Sequence, residues 1–372
     1  MHIVVTGADG FIGKNLQVRL AELGHTEVVG ITRNTPEAAR DQALARAEFV
    51  FHLAGVNRPQ DPAEFEAGNA GLTEWLCRAL KATGRRIPLV LASSTQAAQD
   101  NAYGRSKLAA ELAVRRFGDE TGSPVHVFRL TNVFGKWARP NYNSAVATFC
   151  HNIAHGLPIQ VNNPAAPLRL VYVDDVVNHL VQLPGQAAPV AENGFSQVSP
   201  VYETTVGEVA RVLQSFADSR ATLVTAPVGT GLVRALYSTY ISYLPPDQFA
   251  YAVPSHGDAR GVFVEMLKTP DCGQFSYFTA HPGVTRGEHY HHSKTEKFLV
   301  IKGIARFGFR HITTGQKHEL VTRGGEAKIV ETVPGWTHNI TNVGSDELIV
   351  MVWANEIYDR ANPDTVAMKV DP

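Results

Sequence analysis

The sequence predicts two folds in series, a doubly wound α/β domain with a parallel sheet and then an all-β barrel. Three observations carry this. Residues 1–243 alternate short apolar runs with segments of helical period; from about residue 250 glycine recurs between short runs rich in Val, Ile, Phe and Thr; and Leu244-Pro245-Pro246-Asp247 punctuates the change of texture. At 372 residues the chain exceeds one ordinary core. The boundary therefore falls at about 245, giving domains 1–245 and 246–372.

In the first half, strands are expected at 3–6, 27–32, 49–53, 89–92 and 125–130. Their hydrophobicity is continuous rather than alternating, as for strands covered on both faces. Helical period marks 13–23, 72–83 and 103–117, and segments near 143–155 and 174–183 read as helices of a smaller substrate lobe. In the second half, strands are expected at 263–267, 275–279, 297–301, 328–333 and 348–353.

Composition excludes several classes of function. Hydrophobic residues make up 44% and the formal net charge is −1, with a mean hydropathy of −0.10. That balance gives no electrostatic footprint for nucleic acid or an anionic membrane. No apolar run approaches the roughly 20 residues that span a bilayer. Met1-His2-Ile3-Val4-Val5 reads as a strand and not as a secretory leader. Cys77, Cys150 and Cys272 are scattered and odd in number, which suits reduced thiols and a cytoplasmic setting.

Two constellations carry chemistry. The first is Thr6-Gly-Ala-Asp-Gly-Phe-Ile-Gly13 at the end of the first strand. Glycines at 7, 10 and 13 let a backbone turn tightly and approach a pyrophosphate, while Phe11 and Ile12 open the helix whose N-terminus attracts it. A tight strand–helix turn is the bland alternative. Arg33, at the end of the second strand, stands where a carboxylate would hold a ribose hydroxyl; a basic residue suits the 2′-phosphate of NADP, or else a solvated surface. Tyr103 and Lys107 lie one helical turn apart and so share a face. A neighbouring ammonium and a cationic nicotinamide ring are expected to lower the phenol's pKa and ready it for proton transfer. Ser93-Ser94-Thr95 ends the preceding strand.

These residues, with His52-Leu-Ala-Gly55, resemble the extended short-chain dehydrogenase/reductase family over about residues 1–243. The resemblance implies a Rossmann-type fold and NADP(H) held by Gly7, Gly10, Phe11, Ile12, Gly13, Arg33, Leu53, Ala54, Gly55, Tyr103 and Lys107. It assigns Tyr103 as general acid, Lys107 as its electrostatic partner and Ser94 as the hydroxyl that polarises a carbonyl, with Thr95 the alternative. Only eight residues separate Ser94 from Tyr103, fewer than is usual in the family, which implies a more open site.

The second constellation is Gly283-x5-His289-x-His291-x4-Glu296-x6-Gly303, followed by Pro334-Gly335-Trp-Thr-His338-x3-Asn342. Residues two apart on a strand point the same way, so His289 and His291 can meet one ion, with Glu296 and His338 from neighbouring strands. Three imidazoles and a carboxylate suit Zn, Fe, Mn or Ni. The pattern resembles the cupin superfamily over about 250–360. Within it, Asp258-Ala-Arg260-Gly261 and Thr285-Arg-Gly-Glu-His-Tyr290 resemble dTDP-4-dehydrorhamnose 3,5-epimerases, where the histidine is a metal-free base. Here His289 is also the first metal ligand, so ligation is favoured and the base falls to His292 or Lys294.

The whole chain resembles bifunctional capsular polysaccharide enzymes that make UDP-2-acetamido-2,6-dideoxy-L-talose, the precursor of UDP-N-acetyl-L-fucosamine. The likeness runs through Leu53-Ala-Gly-Val-Asn-Arg-Pro59, Phe134-Gly-Lys-Trp137, Pro140-Asn-Tyr-Asn-Ser144, Val171-Tyr-Val-Asp-Asp175 and Tyr237-Ser-Thr-Tyr-Ile-Ser-Tyr-Leu244. It implies C3 epimerisation of a UDP-2-acetamido-2,6-dideoxy-4-hexulose at a barrel-bound divalent ion, with Zn preferred, then NADPH-dependent C4 reduction. Asn132, Arg139, Arg169, Arg260 and Arg286 become contacts to the nucleotide sugar, with no nucleic acid or membrane as partner, in a homodimer. Two other readings stay open: a 4-epimerase or 4,6-dehydratase with tightly bound NAD and a structural barrel, and a non-catalytic sugar-nucleotide sensor.

Overall fold

The computed structural model describes residues 1–185, 194–258, 261–264, 267, 273–356 and 361–372. Arg260 and Cys272 lie outside the described residues. The chain forms two compact units, the first comprising Met1–Phe134, Tyr142–Ser144 and Leu168–Glu203, the second Gly135–Asn141, Ala145–Pro167 and Thr204–Pro372. By packing, residues 204–244 belong with the strands that follow them, in the second unit.

The first unit is built on a parallel sheet of order β2-β1-β3-β4-β5, formed by β1 (Ile3–Thr6), β2 (Val28–Ile31), β3 (Phe49–His52), β4 (Leu89–Ser94) and β5 (Val125–Leu130). Connecting them are α1 (Phe11–Glu22), α2 (Glu37–Arg46), α3 (Ala63–Phe65), α4 (Leu72–Ala82) and α5 (Ala102–Thr121). All four residues of β1 and all four of β3 are buried, as continuous apolar strands require. Between α3 and α4 the chain makes one π turn, Glu66–Gly71. Val4, Val50, Leu76, Leu80, Leu89, Val114 and Phe117 lie in one core cluster. The helix α5 starts where Asn101 accepts the Gly104 N–H at 2.7 Å and stops at Gly122, whose φ is +67°.

Beyond the sheet, β6 (Asn132–Phe134) pairs in parallel with β7 (Pro167–Tyr172). The expected smaller lobe does not form as one body. Of its two helices, α6 (Ala145–Ala154) packs in the second unit and α7 (Val173–Leu180) packs on α1 in the first. The reason lies in their apolar faces: α7 buries Val173, Val176, Val177 and Leu180, and α6 buries Val146, Phe149 and Cys150.

After β8 (Tyr202–Thr205) come α8 (Val206–Thr222) and α9 (Gly231–Ile241), both packed against α6. The strands that follow are β9 (Ala250–Ala252), β10 (Ser255–Asp258), β11 (Gly261–Val264), β12 (Gln274–Ala280), β13 (Thr285–Tyr290), β14 (Glu296–Lys302), β15 (Ile304–His311), β16 (Lys317–Arg323), β17 (Lys328–Glu331), β18 (Trp336–Asn342), β19 (Leu348–Ala354) and β20 (Val366–Ala367). Two five-stranded sheets result, ordered β12-β19-β14-β17-β9 and β16-β15-β18-β13-β20. Their barrel pairings are antiparallel.

A buried charge cluster ties α8 to the barrel. Glu331 on β17 bonds both Arg220 on α8 and Lys297 on β14, and Lys297 also donates to Tyr251 Oη at 3.1 Å. Glu331 is 2% exposed and Lys297 3%. Burial alone would raise the Glu331 pKa, yet the two cations hold it below the usual carboxylate range. Such a cluster is worth little as an added bond but much once half of it is removed. Glu331→Ala, which strands two buried cations, should destabilise the barrel by about 3–5 kcal/mol, read as a lowered thermal midpoint. A loss under about 1 kcal/mol, the scale of an exposed pair such as Lys81–Glu120, would contradict this role.

Candidate active sites

The strand order turns back between β1 and β3, so the crevice at their carboxyl ends is the natural ligand site of the parallel sheet. Gly7 follows β1 with φ +69°, and a Cβ there would lie 2.7 Å from the Ala54 nitrogen. A Cβ on Gly13 would meet the Gly7 carbonyl oxygen at 2.2 Å. Leu53-Ala54-Gly55 therefore passes directly against the first turn, and only glycine permits it. Gly10 caps α1 without any side-chain hydrogen bond, leaving the first amides of the helix to an anionic ligand. This cradle fits a dinucleotide, and Gly7, Gly10, Phe11, Ile12, Gly13 and the 53–55 segment would hold it. Arg33 is exposed two residues past β2.

Two residues without a role assigned from sequence lock the crevice: His52, part of the family motif, and Asn69, which stands in no motif. His52, at the end of β3, joins Thr6 Oγ1 at 2.7 Å and Thr73 Oγ1 at 2.9 Å through its two ring nitrogens. Burial, aided by Lys107, pushes its pKa down to about 3, so it stays neutral. Asn69, in the π turn, brackets the Val56 backbone and donates to Ser106 Oγ at 3.0 Å. A π turn at a functional site was the available signal only once the backbone was seen.

Lys107 is buried and donates to the Ala92 carbonyl at 2.9 Å. Burial lowers its pKa to about 8, with Glu111 opposing. Tyr103 donates to Asn57 Oδ1 at 3.0 Å. Without a nicotinamide beside it, its pKa lies above the ordinary phenol value. Burial raises it, and only a hydrogen bond from Ser94 pulls it down. The phenol therefore keeps its proton at neutral pH, the state a proton donor needs. Ser94 touches this phenol and accepts the Gln96 N–H at 3.1 Å, whereas Thr95 is exposed.

In the barrel, antiparallel pairing sets His289 on β13 opposite His338 on β18. His291 lies just beyond β13 and Glu296 opens β14. The donor atoms of His289, His291, Glu296 and His338 all fall within 4.8 Å of one another. Burial and the neighbouring imidazoles push His289 down to about 3 and lower His338. Burial alone would raise Glu296, but His291 and His338 hold it well below the carboxylate range. Neutral imidazoles and a charged carboxylate are what a divalent ion binds. These four residues fit such an ion.

The other sequence-predicted residues are distributed. Asn132 donates to the Arg169 carbonyl at 3.1 Å in the first unit. Arg139 is exposed on the 135–141 segment of the second unit. Arg286 donates to the Thr279 carbonyl at 2.7 Å beside Phe278. Lys294 is buried with its ammonium on Thr365 Oγ1 at 2.9 Å, and the His292 amide bonds Asp364. Neither belongs to the four-donor group.

Fold and sites together define a nucleotide-dependent oxidoreductase joined to a barrel whose four clustered donors could hold a metal ion. Residues 3–189 match the NAD dependent epimerase/dehydratase family and residues 256–366 the polysaccharide biosynthesis C-terminal domain. The chain belongs to the NAD dependent epimerase/dehydratase family. It is 59% identical over 372 residues to UDP-2-acetamido-2,6-beta-L-arabino-hexul-4-ose reductase of Pseudomonas aeruginosa, covering 100% of this chain and 99% of that one. The crystal structure of capsular polysaccharide assembling protein CapF from Staphylococcus aureus is similar over 100% of both chains, with 40% identity and a TM-score of 0.69. A probable UDP-glucuronate 4-epimerase of Rhizobium meliloti is 27% identical over 244 residues, 52% of this chain and 70% of that one. No described helix is long and apolar enough to cross a membrane.

The Lys107 shift has a sign that can be checked. Its folded pKa lies below the unfolded value, so the ammonium is present below about 8 and lost above it. Carbonyl reduction, measured as kcat/KM, should fall as pH rises through about 8, and Lys107→Arg should move that limb upward. A rate flat to pH 10 in the unsubstituted protein would separate Lys107 from catalysis.

Proposed function

We propose that this protein acts twice on one UDP-2-acetamido-2,6-dideoxy-4-hexulose, epimerising C3 in the barrel and then reducing the C4 ketone in the N-terminal domain. The product would be UDP-2-acetamido-2,6-dideoxy-L-talose, on the route to UDP-N-acetyl-L-fucosamine for capsule or O-antigen. The observation that carries this reading is the convergence of four metal donors in a chain that also holds Tyr103 and Lys107 over a dinucleotide crevice. The relative that is a hexul-4-ose reductase supports the substrate class. Domains 1–245 and 246–372 remain the proposed modules, in keeping with family matches that end at 189 and begin at 256.

When bound, a nicotinamide supplies hydride and a divalent ion supplies Lewis acidity beside a ketone. The chain's own residues do the rest. Ser94 hydrogen-bonds the C4 oxygen and Tyr103, protonated at neutral pH, gives it a proton. Lys107 stabilises the phenolate left behind. In the barrel, the carbon next to the ketone carries an acidic hydrogen, and exchanging its face inverts C3. His292 and Lys294 stay the candidates for that proton transfer. Asn132, Arg139, Arg169, Arg260 and Arg286 are proposed to hold the sugar nucleotide. Reduction removes the ketone, which makes an otherwise reversible epimerisation one-way.

NADP is proposed over NAD because Arg33 is basic and exposed where the adenosine ribose is read. Zn is proposed for the ion from its three imidazoles and one carboxylate. A cytoplasmic homodimer completes the reading.

Purified protein given the 4-keto sugar should consume NADPH stoichiometrically and take deuterium from solvent at C3. His338→Ala should abolish the deuterium exchange while still reducing a ketone supplied already epimerised. Exchange that survives this substitution would refute a metal-dependent epimerase. Turnover without added cofactor would point to a 4-epimerase or dehydratase that keeps its NAD, and an inert protein to a sensor. Separately, Arg33→Ser should raise KM for NADPH about tenfold or more, the worth of one charge-assisted contact, with KM for NADH unchanged. Equal effects on both cofactors would sink the NADP assignment.

A further inference from the structure

We propose that the segment 364–371, together with Glu288, is an outer strap that orients the metal ligands His289 and His291. The proposal rests on reading the barrel as a metal centre and names the residues that aim its ligands.

Asp364 acts through both its main chain and its side chain. Its carbonyl accepts the His291 Nδ1–H at 2.5 Å. That bond sets the tautomer and leaves Nε2, which lies 3.3 Å from Glu296 Oε2, as the ligating nitrogen. Its carboxylate accepts the amides of His292, Ser293 and Lys294 at 2.8, 2.6 and 2.7 Å, and the Ser293 hydroxyl at 3.0 Å. One carboxylate thus freezes the turn between the ligands His291 and Glu296.

The strap continues along the strand that bears His289. Within β20, Ala367 pairs with His289 and Val366 with Tyr290. Glu288 has φ +60°, a conformation rare for a residue with a side chain, and sits at the register shift between Gly287 and His289. A bulge at that point re-aims the residue that follows, here His289. What holds Glu288 there is the strap: its carbonyl accepts the Met368 N–H at 2.8 Å, and its carboxylate accepts the Val370 N–H at 2.8 Å and Asn339 Nδ2 at 2.8 Å. Val370 is 4% exposed and seated over Gly308, where an added Cβ would lie 3.3 Å from it. Strain at a ligand-bearing bulge persists only where its surroundings enforce it, and these bonds are that enforcement.

The test uses full-length protein stripped of metal, with zinc affinity read by chelator competition and ligand geometry by the absorption of the cobalt(II) form. Asp364→Ala should weaken zinc about 10–100-fold and alter the cobalt bands, while NADPH binding is unchanged. Asp364→Asn and Glu288→Gln keep the volume but replace an acceptor with a donor, so they should show the same losses in smaller degree, and they carry the test if the alanine variant does not fold. A lowered melting temperature with zinc affinity and cobalt spectrum both intact would overturn the strap and leave it a mere brace. If the unsubstituted protein binds neither ion, the metal reading itself falls, and the strap with it.

Discussion

The antiparallel pairing of β13 with β18 is the constraint on which the barrel site depends. It sets one imidazole across from another inside an apolar shell of Phe298 and Phe309, whose rings lie 6.4 and 6.5 Å from His338. Polar groups buried this way are costly without partners. Imidazolium charges would repel at ring separations of 4.7–5.3 Å, and burial together with that repulsion lowers His289 and His338 toward the neutral form beside the Glu296 carboxylate. That is the protonation state in which an ion is captured. The same burial that threatens the fold therefore prepares the chemistry.

A comparable economy holds in the parallel sheet. Three glycines bring the turn after β1 into contact with the segment after β3, and this closeness both closes the core and opens the helix terminus to a phosphate. His52 ties β1 to α4 by two hydroxyls and, being neutral, adds no charge beside Lys107. Lys107 is then the cation of the crevice, reduced in basicity but still charged at neutral pH. Burial raises the Tyr103 phenol and lowers the Lys107 ammonium, so one desolvated pocket pushes each toward its neutral form. The reduction proposed above needs a protonated phenol with a cation one helical turn away, as Tyr103 and Lys107 stand in α5.

Much of this was legible in the residues. Continuous apolar runs marked all five parallel strands to within two residues at either end, because both faces of that sheet are covered. Strand periodicity pointed His289 and His291 to one side, where their donor atoms do cluster, and the spacing of Tyr103 and Lys107 put them on one helical face. Less was legible where the decisive partner is distant or the backbone unusual. Asp364 lies 73 positions from His291 and belongs to no local pattern. The left-handed Glu288 and the π turn around Asn69 are backbone events that side-chain types do not announce. The burial that raises the Tyr103 phenol in the protein without cofactor is likewise invisible in residue types and spacing. The grouping of residues 204–244 with the barrel depends on packing partners such as Arg220 and Glu331, which no composition shift near 245 reveals.

The proposed activity requires two pockets that share one substrate in a fixed order. Complementation between two inactive halves tests it directly. Tyr103→Phe retains the barrel site and lacks the proton donor, while His338→Ala retains the reductase and lacks a metal ligand. Neither alone should convert the 4-keto sugar into reduced product with NADPH, but an equimolar mixture should, with a lag set by release of the epimerised ketone. Full-rate product from His338→Ala alone, or silence from the mixture with both proteins folded, would contradict it.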